Sequence, residues 1–318
     1  MKLRCAILDD YQQVALTAAD WSQILDKVEV KSIDRHIDQP DELVEQIADC
    51  EIVVIMRERT PFRASLLARL PRLKLLITTG MRNASIDMAA AASQGITVCG
   101  TGGAGNATAE LTWALVLGLA RGIVQEHNAI RSGQWQSTIG ADLYGKTLGV
   151  LGLGKLGSKI AKFGHAFGMD VTAWSQNLTK ERADEVGVRL AASKEELLES
   201  SDFVSIHLVL SDRTRGLINA ADLKRMRPSA YLINTSRAPI VDQAALAEAL
   251  QNGWIAGAAV DVFEVEPLPK DDIYRSLPNL LTTPHIGYVS KANYEAFYTD
   301  VVEGIEAYLS GSPVRTLS

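Results

Sequence analysis

Three ionisable side chains in the last third of the chain have the types and spacing for an acid–base reaction on a carboxylate-bearing substrate. Arg237 lies in Asn-Thr-Ser-Arg-Ala-Pro at 234–239, Glu266 in Asp-Val-Phe-Glu-Val-Glu-Pro at 261–267, and His285 in Thr-Pro-His-Ile-Gly at 283–287. Each follows a predicted strand. A guanidinium can grip a carboxylate, an imidazole can pass a proton, and a carboxylate can orient and charge the imidazole. A hydride transfer on a 2-keto acid needs those three groups. Taken singly, each has a plainer reading: a surface cation, a solvated acid, a loop-capping histidine.

A glycine-rich turn lies upstream. Gly145-Lys-Thr-Leu-Gly-Val-Leu-Gly-Leu-Gly-Lys-Leu-Gly-Ser-Lys-Ile-Ala reads as a strand, a tight turn and a helix start, and Gly152, Gly154 and Gly157 form GxGxxG. The first glycine makes the turn, the second lets backbone approach a pyrophosphate, and the third lets helix and strand pack closely. The free amides and dipole at the helix start favour phosphate. The next strand should end with the residue that reads the adenosine ribose. A carboxylate there selects NAD, and a basic residue admits the extra phosphate of NADP. The chain reads Val171-Thr-Ala-Trp-Ser-Gln-Asn-Leu-Thr-Lys, with Ser175 where the acid would stand. No Arg is adjacent; the nearest cations are Lys180 and Arg182. Ser175, Gln176 and Asn177 can bond either form of the ribose, so NAD is favoured and NADP stays open.

The elements that must position these residues are strands alternating with helices. Over residues 1–100 the strand candidates are Cys5–Leu8, Val28–Ile33, Ile52–Met56, Leu73–Thr78 and Ile96–Val98, with helical patterns such as Pro40–Ala48 and Ala64–Leu70 between them. After a glycine cluster at 100–105, one long helix is expected over Ala107–Arg131. The alternation restarts with strands at Thr147–Leu151, Asp170–Trp174, Phe203–Leu208, Ala230–Asn234, Ile255–Val260 and Leu280–Thr282, and a closing helix covers Lys291–Leu309. Such alternation predicts parallel sheets covered by helices, an α/β fold.

The chain has 318 residues, 47% hydrophobic and 22% charged, enough apolar material for two cores. A net charge of −6 argues against nucleic acid or an anionic membrane as main partner. Cys5, Cys50 and Cys99 have no paired spacing, so neither a disulfide framework nor a metal site is expected, and a reducing cytoplasm suits them. The start does not read as a signal peptide. The apolar run 111–120 is too short to span a bilayer and reads as a buried helix.

With those phrases placed, the chain resembles the D-isomer-specific 2-hydroxyacid dehydrogenases. The resemblance rests on Asn106 with Ala109-Glu110-Leu-Thr, on GxGxxG at 152–157, on Ser205-Ile-His-Leu-Val-Leu-Ser-Asp-Arg-Thr-Arg-Gly-Leu-Ile, and on the phrases of Arg237, Glu266 and His285. It implies two Rossmann-like doubly wound parallel-sheet domains with the active site in the cleft between them. A flavodoxin-like substrate-binding domain would span 1–101 plus 289–318, and an NAD(P)-binding domain 102–288. Closure on the cofactor is expected with that arrangement. Arg237 would hold the substrate carboxylate and polarise the carbonyl. His285 would exchange the proton, and Glu266 would fix its tautomer and favour its charged form. The hydride would pass between nicotinamide and substrate carbon.

The resemblance also implies cofactor contacts from Gly152, Gly154, Lys155, Leu156, Gly157, Ser175, His207, Thr214, Thr235 and Asp261, with Asp261 on the nicotinamide carboxamide. Substrate contacts would come from Arg57, Gly80 and Met81, the last two through backbone amides. Met81 and Arg82 depart from the common pattern of that loop, as does Tyr288 after His285, and both departures bear on substrate choice. Tyr288 either narrows the pocket or packs at the domain crossing. Expected overall is a cytoplasmic oxidoreductase for a small D-2-hydroxy acid, a homodimer through the helix after Asn106. The alternative is a cofactor-sensing, corepressor-like binding protein of the same fold. Glu266 disfavours a formate dehydrogenase, which carries Gln there, and no serine-sensing regulatory domain is expected.

Overall fold

The computed structural model describes residues 2–317. By contacts the chain divides into two compact units, Met1–Gly105 with Val289–Ser318, and Asn106–Tyr288.

In the first unit five strands form one sheet: β1 (Leu3–Ile7), β2 (Val28–Ser32), β3 (Ile52–Ile55), β4 (Leu75–Thr78) and β5 (Thr97–Gly100), in the order β2-β1-β3-β4-β5, all parallel. The inner strands Ile-Val-Val-Ile and Leu-Leu-Ile-Thr are buried along their whole length. Helices covering both faces of a parallel sheet produce such uninterrupted apolar runs. The edge strand β2 instead alternates buried and exposed residues. Chain order reverses beside β1, the place where a sheet of this order forms its crevice.

In the second unit seven parallel strands follow the order β12-β11-β10-β9-β6-β7-β8. They are β6 (Thr147–Leu151), β7 (Asp170–Trp174), β8 (Arg189–Leu190), β9 (Phe203–Ile206), β10 (Tyr231–Asn234), β11 (Gly257–Val260) and β12 (Leu280–Thr282). The chain starts at β6, winds outward through β7 and β8, then returns to the other side of β6. Its reversal therefore lies between β6 and β9, at the end of the glycine turn. The closing helix Lys291–Leu309 belongs to the first unit and buries Tyr294, Phe297, Tyr298 and Val301 there.

Two expectations need correction, and one strand was missed. The helix over Ala107–Arg131 is two helices, Ala107–Arg121 and Ile123–Arg131, bent by 61°. Gly122 sits between them at φ 56° and its amide closes on Gly118 O and Leu119 O, a left-handed cap that glycine adopts without steric cost. Strand ends such as Leu208 lie outside β9, because the ladder stops where the loops over the sheet begin. The two-residue β8 was too short to show a period. The run 111–120 is a core helix: Thr112, Trp113, Leu115, Val116 and Ala120 are buried in it. No single helix among the described residues is long and apolar enough to cross a membrane.

Candidate active site

The glycine turn has the geometry its spacing requires. Gly152 follows β6 directly at φ 99°, and a Cβ there would press on His207 carbonyl, so the position excludes a side chain twice. A Cβ on Gly157 would collide with Gly152 carbonyl, which is the close approach of helix to turn. Gly154 differs: a Cβ there would meet nothing within 4 Å. Its lack of a side chain therefore serves no contact inside the protein and leaves a space at the start of the helix Lys155–Ala166. That helix has no side-chain cap on its first amides. Donors left open there, facing a space without a side chain, suit a phosphate. The residues present fit a dinucleotide.

Arg237, Glu266 and His285 all follow strand ends of the second sheet. Arg237 sits three residues beyond β10, half-buried, its Nη1 donating to Ser236 O at 2.8 Å. The buried Asn234 shapes that turn: its amide donates to Arg237 O at 3.1 Å and its oxygen accepts from Ser236 N at 3.0 Å. His285 Nδ1 meets Glu266 Oε2 at 2.6 Å, and the other carboxylate oxygen accepts from Phe263 N at 3.0 Å. An ionised Glu266 accepts from Nδ1–H, which makes Nε2 the ring nitrogen able to exchange a proton. The side chains are 19% and 22% exposed, so the pair is largely shielded from water.

His285 stands at φ 52°, a conformation that a non-glycine residue holds only when its surroundings impose it. Asp261 imposes it. This buried carboxylate accepts from Thr283 Oγ1 at 2.6 Å, Ile286 N at 2.8 Å and Gly287 N at 2.8 Å, and so pins the turn on both sides of the histidine. Burial raises its pKa, against the pull of those donors. The Tyr288 ring packs edge-on against His285, with centroids 5.8 Å apart at 71°.

Two threonines with no role in the sequence reading tie these loops to the helix Ala107–Arg121. Thr108 Oγ1 donates to Gly287 O at 2.9 Å, and the buried Thr112 shares a 2.7 Å hydrogen bond with Thr235, two residues before Arg237. Their four-residue spacing puts both on one helix face; nothing in the sequence says what that face meets.

His207 follows β9 beside the glycine turn. Its Nε2 meets Ser205 Oγ at 2.8 Å, and Nδ1 is buried without a hydrogen-bond partner. Burial pushes its pKa down to about 3, so it is neutral at physiological pH. Thr214 closes its own loop, its hydroxyl donating to Val209 O at 2.8 Å. Ser175 is half-buried just beyond β7, and Lys155 and Leu156 open the helix after Gly154.

In the first unit Arg57 and Gly80 meet. Gly80 holds φ 90°, which strains a side chain, and the Arg57 guanidinium lies against it where a Cβ would project. Arg57 itself holds φ 54°, with its amide donating to Thr79 Oγ1 at 3.0 Å and its carbonyl accepting from Asn83 Nδ2 at 2.6 Å. Gly80 N donates to Thr101 Oγ1 at 2.8 Å, so that amide is committed inside the protein and does not point to a ligand. Met81 beside it is 46% exposed.

Residues 113–287 match the model of the D-isomer specific 2-hydroxyacid dehydrogenase NAD binding domain. A glyoxylate reductase from Aeropyrum pernix is 39% identical over 256 residues, 77% of this chain and 76% of that one. A D-3-phosphoglycerate dehydrogenase from Bacillus subtilis is 38% identical over 83% of this chain but only 50% of its own length. The crystal structure of a phosphoglycerate oxidoreductase from Vibrio cholerae superposes with a TM-score of 0.93 at 38% identity, covering 97% of this chain and 99% of that one. A helix-opening glycine turn that fits a dinucleotide, and these relatives, make one class: the chain belongs to the D-isomer-specific 2-hydroxyacid dehydrogenases, oxidoreductases that use NAD(P).

Proposed function

We propose that the protein interconverts a small D-2-hydroxy acid and its 2-keto acid, with Arg237, Glu266 and His285 as its working residues. The His285–Glu266 contact at 2.6 Å is the observation that carries this reading. Arg237 holds the substrate carboxylate and draws density from the carbonyl oxygen, a bidentate task for which a planar guanidinium is shaped. In reduction His285 gives the Nε2 proton to that oxygen, and Glu266 stabilises the charged imidazole until the proton is lost. In oxidation the same nitrogen takes the proton back. A bound reduced nicotinamide supplies the hydride. Gly152, Gly154 and Gly157 shape the pyrophosphate site, Asp261 holds the histidine turn, and Arg57 with Met81 contributes to substrate choice. Glyoxylate and hydroxypyruvate are the first substrates to try, since a glyoxylate reductase is among the relatives.

Turnover of a 2-keto acid panel with NADH and NADPH, on wild type and His285→Ala, tests the reading. The variant should lose about 10²–10⁴-fold in kcat while cofactor binding persists. Equal turnover by both proteins would remove His285 from the chemistry, and no turnover despite bound cofactor would favour a cofactor-sensing binding protein.

We also propose a cytoplasmic homodimer. Ile123, Val124, Ile130, Trp135, Ile139 and Tyr144 are exposed along one segment, next to a helix whose own apolar residues are mostly buried. Such a concentration of exposed apolar side chains marks an interaction surface. The segment after Gly122, which begins with the second part of the helix expected after Asn106, is its contact face. A single-chain mass in light scattering would refute it.

A further inference from the structure

The loops that carry Arg237 and His285 are joined to each other through one turn of a helix. Thr108 and Thr112 share a face of Ala107–Arg121, one turn apart. Thr108 Oγ1 donates to Gly287 O at 2.9 Å. Thr112 Oγ1 lies 2.7 Å from Thr108 O and 2.7 Å from Thr235 Oγ1. A threonine hydroxyl has one hydrogen, and a carbonyl oxygen only accepts. The Thr112 hydrogen therefore goes to Thr108 O, and Thr235 donates to Thr112. Either hydroxyl, turned away, would leave two oxygens facing each other at 2.7 Å.

Gly287 is the junction on the other side. Its amide donates to Asp261 Oδ2 at 2.8 Å while its carbonyl accepts from Thr108. A Cβ there would come within 3.0 Å of Asp261 Oδ2 and 3.3 Å of Thr108 Cγ2, so glycine lets both partners approach. Asp261 N donates in turn to Asn234 O at 3.0 Å, and Asn234 precedes Thr235. The contacts close a ring that runs from the helix turn through Thr235, Asn234, Asp261 and Gly287 back to the helix. Thr112, Thr235, Asn234 and Asp261 are buried. In such a setting a hydrogen bond is electrostatically strong and an unmade one is costly. Arg237 stands two residues beyond Thr235, and His285 two residues before Gly287. The helix turn thus spans from the loop after β10 to the loop after β12, past the intervening β11.

We propose that Thr108 and Thr112 are positioning residues of the reaction, one helix turn setting the carboxylate grip at Arg237 against the proton donor at His285. The inference rests on the roles proposed above for those two residues. Each threonine acts through the loop it holds. Thr108 holds the histidine turn and so bears on proton transfer. Thr112 holds the arginine turn and so bears on the grip on the keto acid. Small misplacements of reacting groups cost rate steeply.

Steady-state kinetics of the full chain, with reduced dinucleotide and the best keto acid of the panel, tests it on valine and serine variants of both threonines. Valine keeps the shape and loses the hydroxyl; serine keeps the hydroxyl. Thr108→Val should lower kcat by about ten-fold and move KM by less than about two-fold. Thr112→Val should raise the KM for the keto acid by about ten-fold, with the smaller part of its loss in kcat. Thr108→Ser and Thr112→Ser should stay within about two-fold of wild type in both constants. Thermal melts of each variant place the assay below its midpoint, since a threonine that serves stability alone would shift the midpoint and leave that split absent. Thr108 is half-buried, so Thr108→Val keeps the test open should Thr112→Val not fold. Wild-type kcat and KM in the valine variants would overturn the proposal, as would serine variants that lose as much as the valine ones. Undiminished turnover in His285→Ala would instead overturn the reading on which the inference rests.

Discussion

The two sheets end their leading strands in opposite ways. In the second unit β6 runs into Gly152–Gly154, and the helix that follows keeps its first amides uncapped by any side chain. In the first unit β1 runs into Leu8, Asp9 and Asp10, and carboxylates take the donors of the turn. Asp10 accepts from Val14 N at 3.0 Å, Ala15 N at 3.2 Å and Ser32 Oγ at 2.6 Å. Asp9 accepts from Thr60 Oγ1 at 2.8 Å and meets His36 Nδ1 at 2.8 Å. Both turns stand where a parallel sheet forms its crevice. One suits an anion because glycine leaves its amides without a side-chain cap; the other is closed because aspartate fills it. Architecture supplies the place, and the turn residues decide whether a ligand can use it.

Substitutions at the glycines should break this contrast most strongly. Gly157→Ala drives a methyl into Gly152 carbonyl, and should cost about 1–3 kcal/mol of stability along with cofactor binding. Gly154→Ala meets no protein atom, so its thermal midpoint should match wild type while the Kd for the dinucleotide rises by about ten-fold or more. Calorimetric melts paired with cofactor titration separate the two. An unchanged Kd in Gly154→Ala would mean that the open space is not where the phosphate lies.

Asp10→Ala is the counterpart in the closed turn. It removes the acceptor for two amides, that of Ala15 buried and that of Val14 half-buried, and for a hydroxyl, and should cost about 1–3 kcal/mol in urea unfolding with no change in cofactor affinity. A shift in affinity instead would show that this turn serves the ligand.

A pH dependence of opposite sign also separates the two units. The Asp9 hydrogen bond raises the pKa of His36. Its folded state holds a proton more firmly, so that stabilisation is complete below the ordinary value of 6.5 and is lost as pH rises through the raised pKa. Burial lowers His207 to about 3 from 6.5, so its stabilisation is present above 6.5 and is lost as pH falls toward about 3. Urea midpoints across that range for His36→Gln and His207→Gln should each flatten one side of the profile. A variant that keeps the wild-type slope on its own side would refute the assignment.

Much of the fold was legible because parallel strands buried on both faces announce themselves. The expected strands Ile52–Met56 and Leu73–Thr78 are read from apolar runs and contain the observed Ile52–Ile55 and Leu75–Thr78, and Gly152, Gly154 and Gly157 are read from spacing alone. Gly122 was harder: a glycine inside a helical pattern can be tolerated or can cap the helix, and only its left-handed φ of 56° shows which. Arg182 was visible as a cation but not as a neighbour of Ser158, to whose Oγ its Nη2 donates at 3.0 Å, because the contact joins two helices through a side chain that turns back on its own element.

What the sequence determined by itself is local: which segments are strands or helices, where the chain must turn, and which residue types can move a proton or grip a carboxylate. Those follow from dihedral preference, hydrophobic period and side-chain chemistry, and each acts within a few residues. Only the tertiary structure decided what those residues meet. It brought Glu266 to His285 Nδ1, made Asp261 the clasp of the histidine turn, and spent Gly80 N on Thr101. Those contacts join residues from different loops, and the packing of the intervening elements, rather than any local preference, sets their distance.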